Sequence, residues 1–187
     1  MKIPIKPDRN HLKLIALCVA ALYPLGATSV TVRVGTGSTT VDNIPVTPVS
    51  PGLFETVMSD GKKRAVVQRV SDGTFISLEN PAHRGDRLRA FVTGLGRPVS
   101  KSGVRLGTNQ GGISGDDASP LVGMVVGVGD QGVNFVSAIY AQDMVGVYDV
   151  TFDVPASGPS GNDVNFAVAA VLNDTPVFSN PSKLPIQ

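Results

Sequence analysis

The sequence predicts an all-β protein, an antiparallel β-sandwich behind a signal-like N-terminal segment, and three observations predict it. Apolar residues recur at every second position over several short stretches, the spacing at which one face of a strand meets a core and the other meets water. Gly (21) and Pro (14) are frequent among the 187 residues, with Thr, Val and Ser crowding the segments between them, as short strands joined by tight turns require. The usual helix formers are sparse. A chain of this length makes one well-buried domain plus a fragment of another.

The N-terminus is the first element. Lys2, Lys6, Arg9 and Lys13, opposed by Asp8 alone, precede the apolar run Leu14-Ile15-Ala16-Leu17-Cys18-Val19-Ala20-Ala21-Leu22, and Tyr23-Pro24-Leu25-Gly26-Ala27 follows. Basic, apolar and cleavage-site parts in that order read as a secretory signal over residues 1–27, with Ala27 last before the cut, although Leu25 fits the small-residue rule poorly. The alternative, a buried strand of a truncated domain, leaves the charge asymmetry unexplained. The run is too short to span a bilayer, which takes ~20 apolar residues. A mature chain without a transmembrane span, at an extracellular or cell-surface location, is therefore expected. Cys18 lies inside the run and not after it, which argues against a lipoprotein and leaves the mature chain with neither thiol nor disulfide. The formal charge is +1, and removing residues 1–27 leaves 12 basic and 14 acidic groups, so nothing drives the chain toward nucleic acid or an anionic membrane.

From Thr28 the period is two. Val30, Val32 and Val34 alternate with Thr31 and Arg33, residues 35–39 turn the chain, and residues 40–49 return, with Pro45 and Pro48 marking an edge strand. Residues 28–50 are thus a β-hairpin, either the remnant of a preceding unit or strands added to the main sandwich of residues 51–187. In that sandwich Tyr148-Asp149-Val150-Thr151-Phe152-Asp153-Val154 is the clearest strand, and residues 65–70, 75–78, 87–93, 121–128, 133–141 and 163–172 are further candidates. Turn chemistry at Ser71-Asp72-Gly73, Asp130-Gln131-Gly132 and residues 157–161 separates them. The whole reads as an immunoglobulin-like antiparallel β-sandwich. A weak internal repeat relates residues 25–49 to 159–187, each a glycine-containing turn followed by an alternating strand and a proline-punctuated one, as hairpins closing two neighbouring units would look.

Several motifs carry a resemblance. Val49-Ser50-Pro51-Gly52-Leu53-Phe54, Asn80-Pro81-Ala82-His83-Arg84-Gly85-Asp86, Phe91-Val92-Thr93-Gly94-Leu95-Gly96-Arg97-Pro98-Val99, Ala138-Ile139-Tyr140-Ala141, Val145 through Pro155 and the closing Ser179-Asn180 occur in one order. Over residues 23–187 the chain resembles the Solibacter-type C-terminal domain of uncharacterised bacterial secreted proteins. That resemblance implies a β-sandwich at the end of secreted, often multidomain proteins, with no established activity for the domain. The chain departs from the family in lacking the front of the domain and in carrying Val128-Gly129-Asp130-Gln131-Gly132-Val133 as its glycine hairpin.

Residues that invite a chemical reading have a structural one beside them. Gly127-Val128-Gly129-Asp130-Gln131-Gly132 matches GxGxxG, but a dinucleotide site needs a helix after the third glycine, and residues 133–141 alternate like a strand, so a hairpin turn is expected and no cofactor. Gly94-Leu95-Gly96 after a strand reads as a bulge or corner. His83 is the one histidine after residue 27 and no GxSxG string accompanies it, so neither a catalytic triad nor a zinc site is expected, and no enzyme activity. Asp116 and Asp117 are the calcium candidates, without the spaced ligand ladder of a known loop. Asp149 and Asp153 share an outward strand face ~13 Å apart, too far for a glycosidase pair. Lys62-Lys63-Arg64 and the stretch holding Arg84, Arg87, Arg89, Arg97, Lys101 and Arg105 are basic, but the chain has no Trp and no exposed aromatics are interleaved, so charged strand faces explain them. The long Gly-, Ser- and Asp-rich loop of residues 97–120 is the expected binding region, with Arg97, Lys101 and Arg105 as candidates. A non-enzymatic extracellular module for adhesion, assembly or spacing is expected, the partner being a protein or glycan, with a neighbouring immunoglobulin-like unit and no nucleic acid. The alternative is a carbohydrate-binding accessory domain.

Overall fold

The computed structural model describes residues 26–107 and 109–187, so the expected signal lies outside the described residues except for Gly26 and Ala27, which open the first strand. The strands are β1 (Gly26–Val34), β2 (Gly37–Val46), β3 (Gly52–Leu53), β4 (Glu55–Val57), β5 (Lys63–Ala65), β6 (Val67–Arg69), β7 (Arg87–Thr93) and β8 (Val99–Ser100). They continue with β9 (Ala118–Ser119), β10 (Gly123–Val128), β11 (Gln131–Val133), β12 (Phe135–Tyr140), β13 (Val147–Asp153), β14 (Gly161–Leu172), β15 (Thr175–Phe178) and β16 (Ser182–Ile186). Among the described residues no helix is long and apolar enough to cross a membrane. The chain divides into two compact units, one ending at Thr47 and the other running from Pro48 to Gln187.

The first unit is the expected hairpin. Gly35, at φ 59°, opens the two-residue turn between Val34 and Gly37, where a tight hairpin needs a residue free of a Cβ. Val30 stands opposite Val41, and Val32 and Val34 share their face, whereas Thr31 and Thr40 touch through hydroxyls 2.8 Å apart on the other. β1 and β2 form a two-stranded sheet of their own. The return strand ends at Val46, short of the expected Val49.

In the second unit two five-stranded antiparallel sheets enclose one core. The first has the order β12-β13-β7-β3 with β6 also on β7, and the second β11-β10-β14-β15 with β16 also on β14. β7 buries Leu88, Ala90 and Val92, and β13 buries Tyr148, Val150 and Phe152 beside them. From the other sheet Val126, Val128, Val164, Phe166 and Val168 point inward. Phe152 stacks on Phe166 across the interior with ring centroids 5.2 Å apart. Each such ring removed from water contributes roughly 1.5–3 kcal/mol, which is why alternation in sequence becomes a pair of facing sheets.

Elsewhere the expectations need correction. Residues 65–70 form two strands and not one: β5 pairs with β4 and β6 with β7, and between them the Val66 N–H donates to Phe54 O at 2.8 Å. Residues 75–78 form no strand beyond a single bridge of Phe75 to Gln68. A turn replaces the ladder: the Ser77 N–H donates to Asn80 O at 3.0 Å, Ser77 Oγ accepts from the N–H of Glu79 and Asn80, and Asn80 Nδ2 donates to Phe75 O at 3.1 Å. The basic stretch at residues 62–64 is not simply a solvated face. Arg64 is fully buried, donating from Nε to Asn162 O at 2.8 Å, from both terminal nitrogens to Asp60 at 2.8 and 2.7 Å, and to Asp163 at 2.7 Å. A buried guanidinium is tolerated because its donors are satisfied and its charge is paired. At the sheet edge the exposed Asn180 accepts from Leu53 N at 2.7 Å in place of a neighbouring strand.

Gly94 and Gly96 make the expected corner, at φ 74° and 87°. A Cβ on Gly94 would lie 1.9 Å from Ser50 O, whose own N–H donates to Gly94 O. Gly94→Ala is therefore expected to lower unfolding free energy by about 2–4 kcal/mol in a urea titration. The Arg64 guanidinium holds the Asp60 carboxyl far below the usual carboxylate range, against the opposing effect of burial. A depressed native value means that stabilisation is complete above the unfolded value of ~3.9 and is lost as pH falls through the native one. The melting temperatures of wild type and Asp60→Asn should differ by a constant amount above about pH 5 and converge below about pH 4.

Candidate functional site

The loop expected to bind is largely bonded to itself. β8 pairs with β9 at its base, and Leu106 and Ala118 are buried beneath it. Arg97 spends its Nε on Leu106 O at 2.8 Å, and Lys101 Nζ meets Asp117 at 2.7 Å, which raises the lysine's pKa by hydrogen bond and charge. Asp116 accepts from the Ser102 N–H and hydroxyl, and this holds its carboxyl below the ordinary value. Arg105 is exposed and returns to Val99 through a backbone bridge. The five candidates share a loop, but Lys101 is neutralised, Arg97 braces the backbone, and the two aspartates serve different donors. Among the described residues no three His, Cys, Asp or Glu side chains are grouped to hold a metal ion.

The arginines of residues 84–89 each have a partner of their own. Arg87 forks onto Asp153 at 2.7 and 3.2 Å, and Arg84 donates to Gly158 O at 2.8 Å. Arg89 reaches Asp149 at 3.3 Å and lies 5.6 Å from the Phe91 ring centre. Burial pushes the Asp149 carboxyl up against the pull of Arg89, and Asp149 Oδ1 and Arg89 Nε are buried without a hydrogen-bond partner. His83 is exposed, with Nδ1 3.7 Å from Asp86 Oδ2. That oxygen also accepts the His83 N–H at 2.8 Å and Arg69 Nε at 2.9 Å. Arg69 continues to Thr74 at 3.0 Å, Asn80 at 3.1 Å and Pro81 O at 2.8 Å, so the Asp86–His83 pair is a corner of a turn built around a guanidinium.

The concavity lies elsewhere, on the outer face of the β10–β14 sheet. The GxGxxG string is the hairpin between β10 and β11, with Gly129 and Asp130 at φ 60° and 65°, the paired positive values of a two-residue type I′ turn. In this register Gly127 stands opposite Gly132 on one side and Ala167 on the other, so almost no side chain covers the backbone there. Phe178, 64% exposed, flanks this bare patch, and Asp130 and Asn165 stand at its other side. The open groove has a volume of about 510 Å³. A second cavity of about 280 Å³ shares Asp130 and Asn165 and extends past Pro159. Asn165 Nδ2 donates to both Asp130 oxygens at 2.9 Å, and its Oδ1 accepts from Lys183 Nζ. Asp130 is the titratable group of the lining, so the arrangement suits holding a small amphipathic molecule. Sequence reading treats these glycines as turn residues. The signal available is that Gly127 and Gly132 flank a two-residue turn symmetrically, which in an antiparallel hairpin places them side by side.

Because Arg69 is nearly buried and bonded to four partners while Lys101 is exposed, Arg69→Ala should cost about 2–4 kcal/mol in urea unfolding, whereas Lys101→Ala should leave the midpoint unchanged. Comparison of the chain with protein-family models, with curated proteins and with solved structures finds no match in any of the three.

Proposed function

We propose that the protein is a non-enzymatic module of the extracellular space or cell surface, exported by residues 1–27 and acting in adhesion, assembly or spacing, with an immunoglobulin-like sandwich as its body. The strand pairing supports the immunoglobulin-like reading. β7 pairs with β13 and β10 with β14, while the chain passes between sheets from β7 to β10 and again from β13 to β14. Interlocked pairs of this kind, flanked by β12 and β3/β6 on one sheet and by β11 and β15 on the other, follow the A-B-E-D and C′-C-F-G orders of that fold. Membership in the Solibacter-type family of secreted domains fits the same picture and the order of the motifs.

One observation carries the assembly role. Val30, Val32, Val34 and Val41 make one continuous face of the hairpin and are 45–68% exposed, while Thr31, Arg33, Ser38 and Thr40 occupy the other. A two-stranded ribbon is at best marginally stable alone, and a face this regularly apolar is the half of an interface. Its partner in this reading is the apolar sheet face of a neighbouring immunoglobulin-like unit. With full-length protein expressed in a bacterial host, wild type should be recovered processed and bound in the surface fraction. Val32→Asp/Val41→Asp should be released to the medium, with surface retention reduced at least about tenfold and the melting transition of the second unit unchanged. Retention of the double variant at the wild-type level would overturn the assembly role, and an unprocessed cytosolic chain would overturn export.

A second reading, a carbohydrate-binding accessory domain, is favoured by the trough beside Phe178.

A further inference from the structure

The outer face of the β10–β14 sheet combines features that strand formation does not require. Glycines at paired register positions weaken a sheet, since each gives up side-chain contacts and adds conformational freedom to the unfolded chain. Gly127 and Gly132 are nevertheless paired with each other, and neither has the positive φ that would demand glycine. What they provide is a flat floor. Phe178 at 64% exposure is a large apolar ring left in water beside that floor. The polar side of the trough is ordered in advance: Lys183 fixes the Asn165 amide, the amide donates to both Asp130 oxygens, and each of those oxygens keeps a lone pair free.

We infer that this trough binds a neutral pyranose unit of a glycan, a reading that deepens the carbohydrate-binding alternative and rests on it. The C–H face of the ring lies on Gly127 and Gly132 against Phe178, and hydroxyl groups donate to Asp130. A pyranose matches the lining because one of its faces is apolar and its edge is a set of donors and acceptors, as are the floor and rim here. A phosphate or acidic ligand is disfavoured by the Asp130 carboxylate, and the Lys183 ammonium is engaged by Asn165. An extended peptide is disfavoured because Gly127 is paired on both sides, to Gly132 and Ala167, and the one strand edge beside the floor, that of β11, is only three residues long, too short for an added strand. The volume of about 510 Å³ falls within the ~300–1,000 Å³ of small-ligand sites. The adjoining cavity past the Asp130–Asn165 pair gives a second sugar of the same chain room to continue.

The test uses the full chain on an array of neutral and acidic glycans, followed by calorimetric titration of the strongest neutral glycan. Gly132→Val is the informative variant, because a Cβ at Gly132 has no atom within 4 Å and its φ is unstrained, so the change fills the trough without disturbing the fold. Gly132→Val and Phe178→Ala should each weaken binding at least about tenfold, with melting temperatures unchanged. Lys101→Ala/Arg105→Ala, in the long loop, should bind as wild type does. Binding that survives both trough variants but is lost in the loop variant would overturn the trough while leaving the carbohydrate reading in place. An array with no saturable neutral-glycan signal would overturn both.

Discussion

Phe152 and Phe166 come from strands in different sheets, and their stacking at 5.2 Å holds the two layers at the distance on which the rest of the second unit depends. Around them β7 and β13 supply Leu88, Ala90, Val92 and Val150, and β10 and β14 supply Val126, Val128, Val164 and Val168. Small and branched side chains fill the space between the rings, which is what close packing between twisted sheets requires. Because each of the four strands faces the core with alternate residues, a one-residue slip in any pairing would turn an apolar set outward. The core therefore specifies the register, and the register in turn places every outward residue.

At the edges side-chain hydrogen bonds join hydrophobic burial, which there includes Val67, Tyr140 and Leu184. Arg64 joins the β5 hairpin to the start of β14 through Asn162 and Asp163, and Arg69 organises the turns between β6 and β7 through Asp86, Thr74, Asn80 and Pro81. Asn180 stands in for a missing strand beside Leu53. Either guanidinium would be costly to bury alone, and each is tolerated because carboxylates and carbonyls take its donors. The same logic separates the long loop from the trough. In the loop, Lys101 meets Asp117, while Arg97 and Asp116 are taken up by a carbonyl and by Ser102 within the same loop. In the trough, the Asp130–Asn165–Lys183 chain is bonded on one side and open on the other, beside an apolar surface left uncovered.

The alternation of Tyr148 through Val154 was sufficient to identify β13 and its buried face, and residues 87–93 and 163–172 were legible for the same reason. A period of two is a local property, and water enforces it one residue at a time. The corner at Gly94 was equally legible, as was a hairpin within residues 127–132, although the turn expected at Asp130-Gln131-Gly132 is Gly129-Asp130, with Gln131 and Gly132 in β11. Residues 75–78 misled because the competing side-chain bonds of Ser77 and Asn80 are as local as the strand pattern, and composition does not rank the two.

The sequence by itself determined an all-β chain, the position of its main strands and turns, and the hairpin with a valine face. Only the tertiary structure decided that Arg64 points inward, that Lys101 is paired with Asp117 while Asp116 serves Ser102, and that Gly127, Gly132, Ala167 and Phe178 gather on one outer surface. The physical reason is range: burial periodicity and turn conformation are settled between near neighbours, whereas pairing of charges and the shape of a surface depend on which distant segments the register brings side by side.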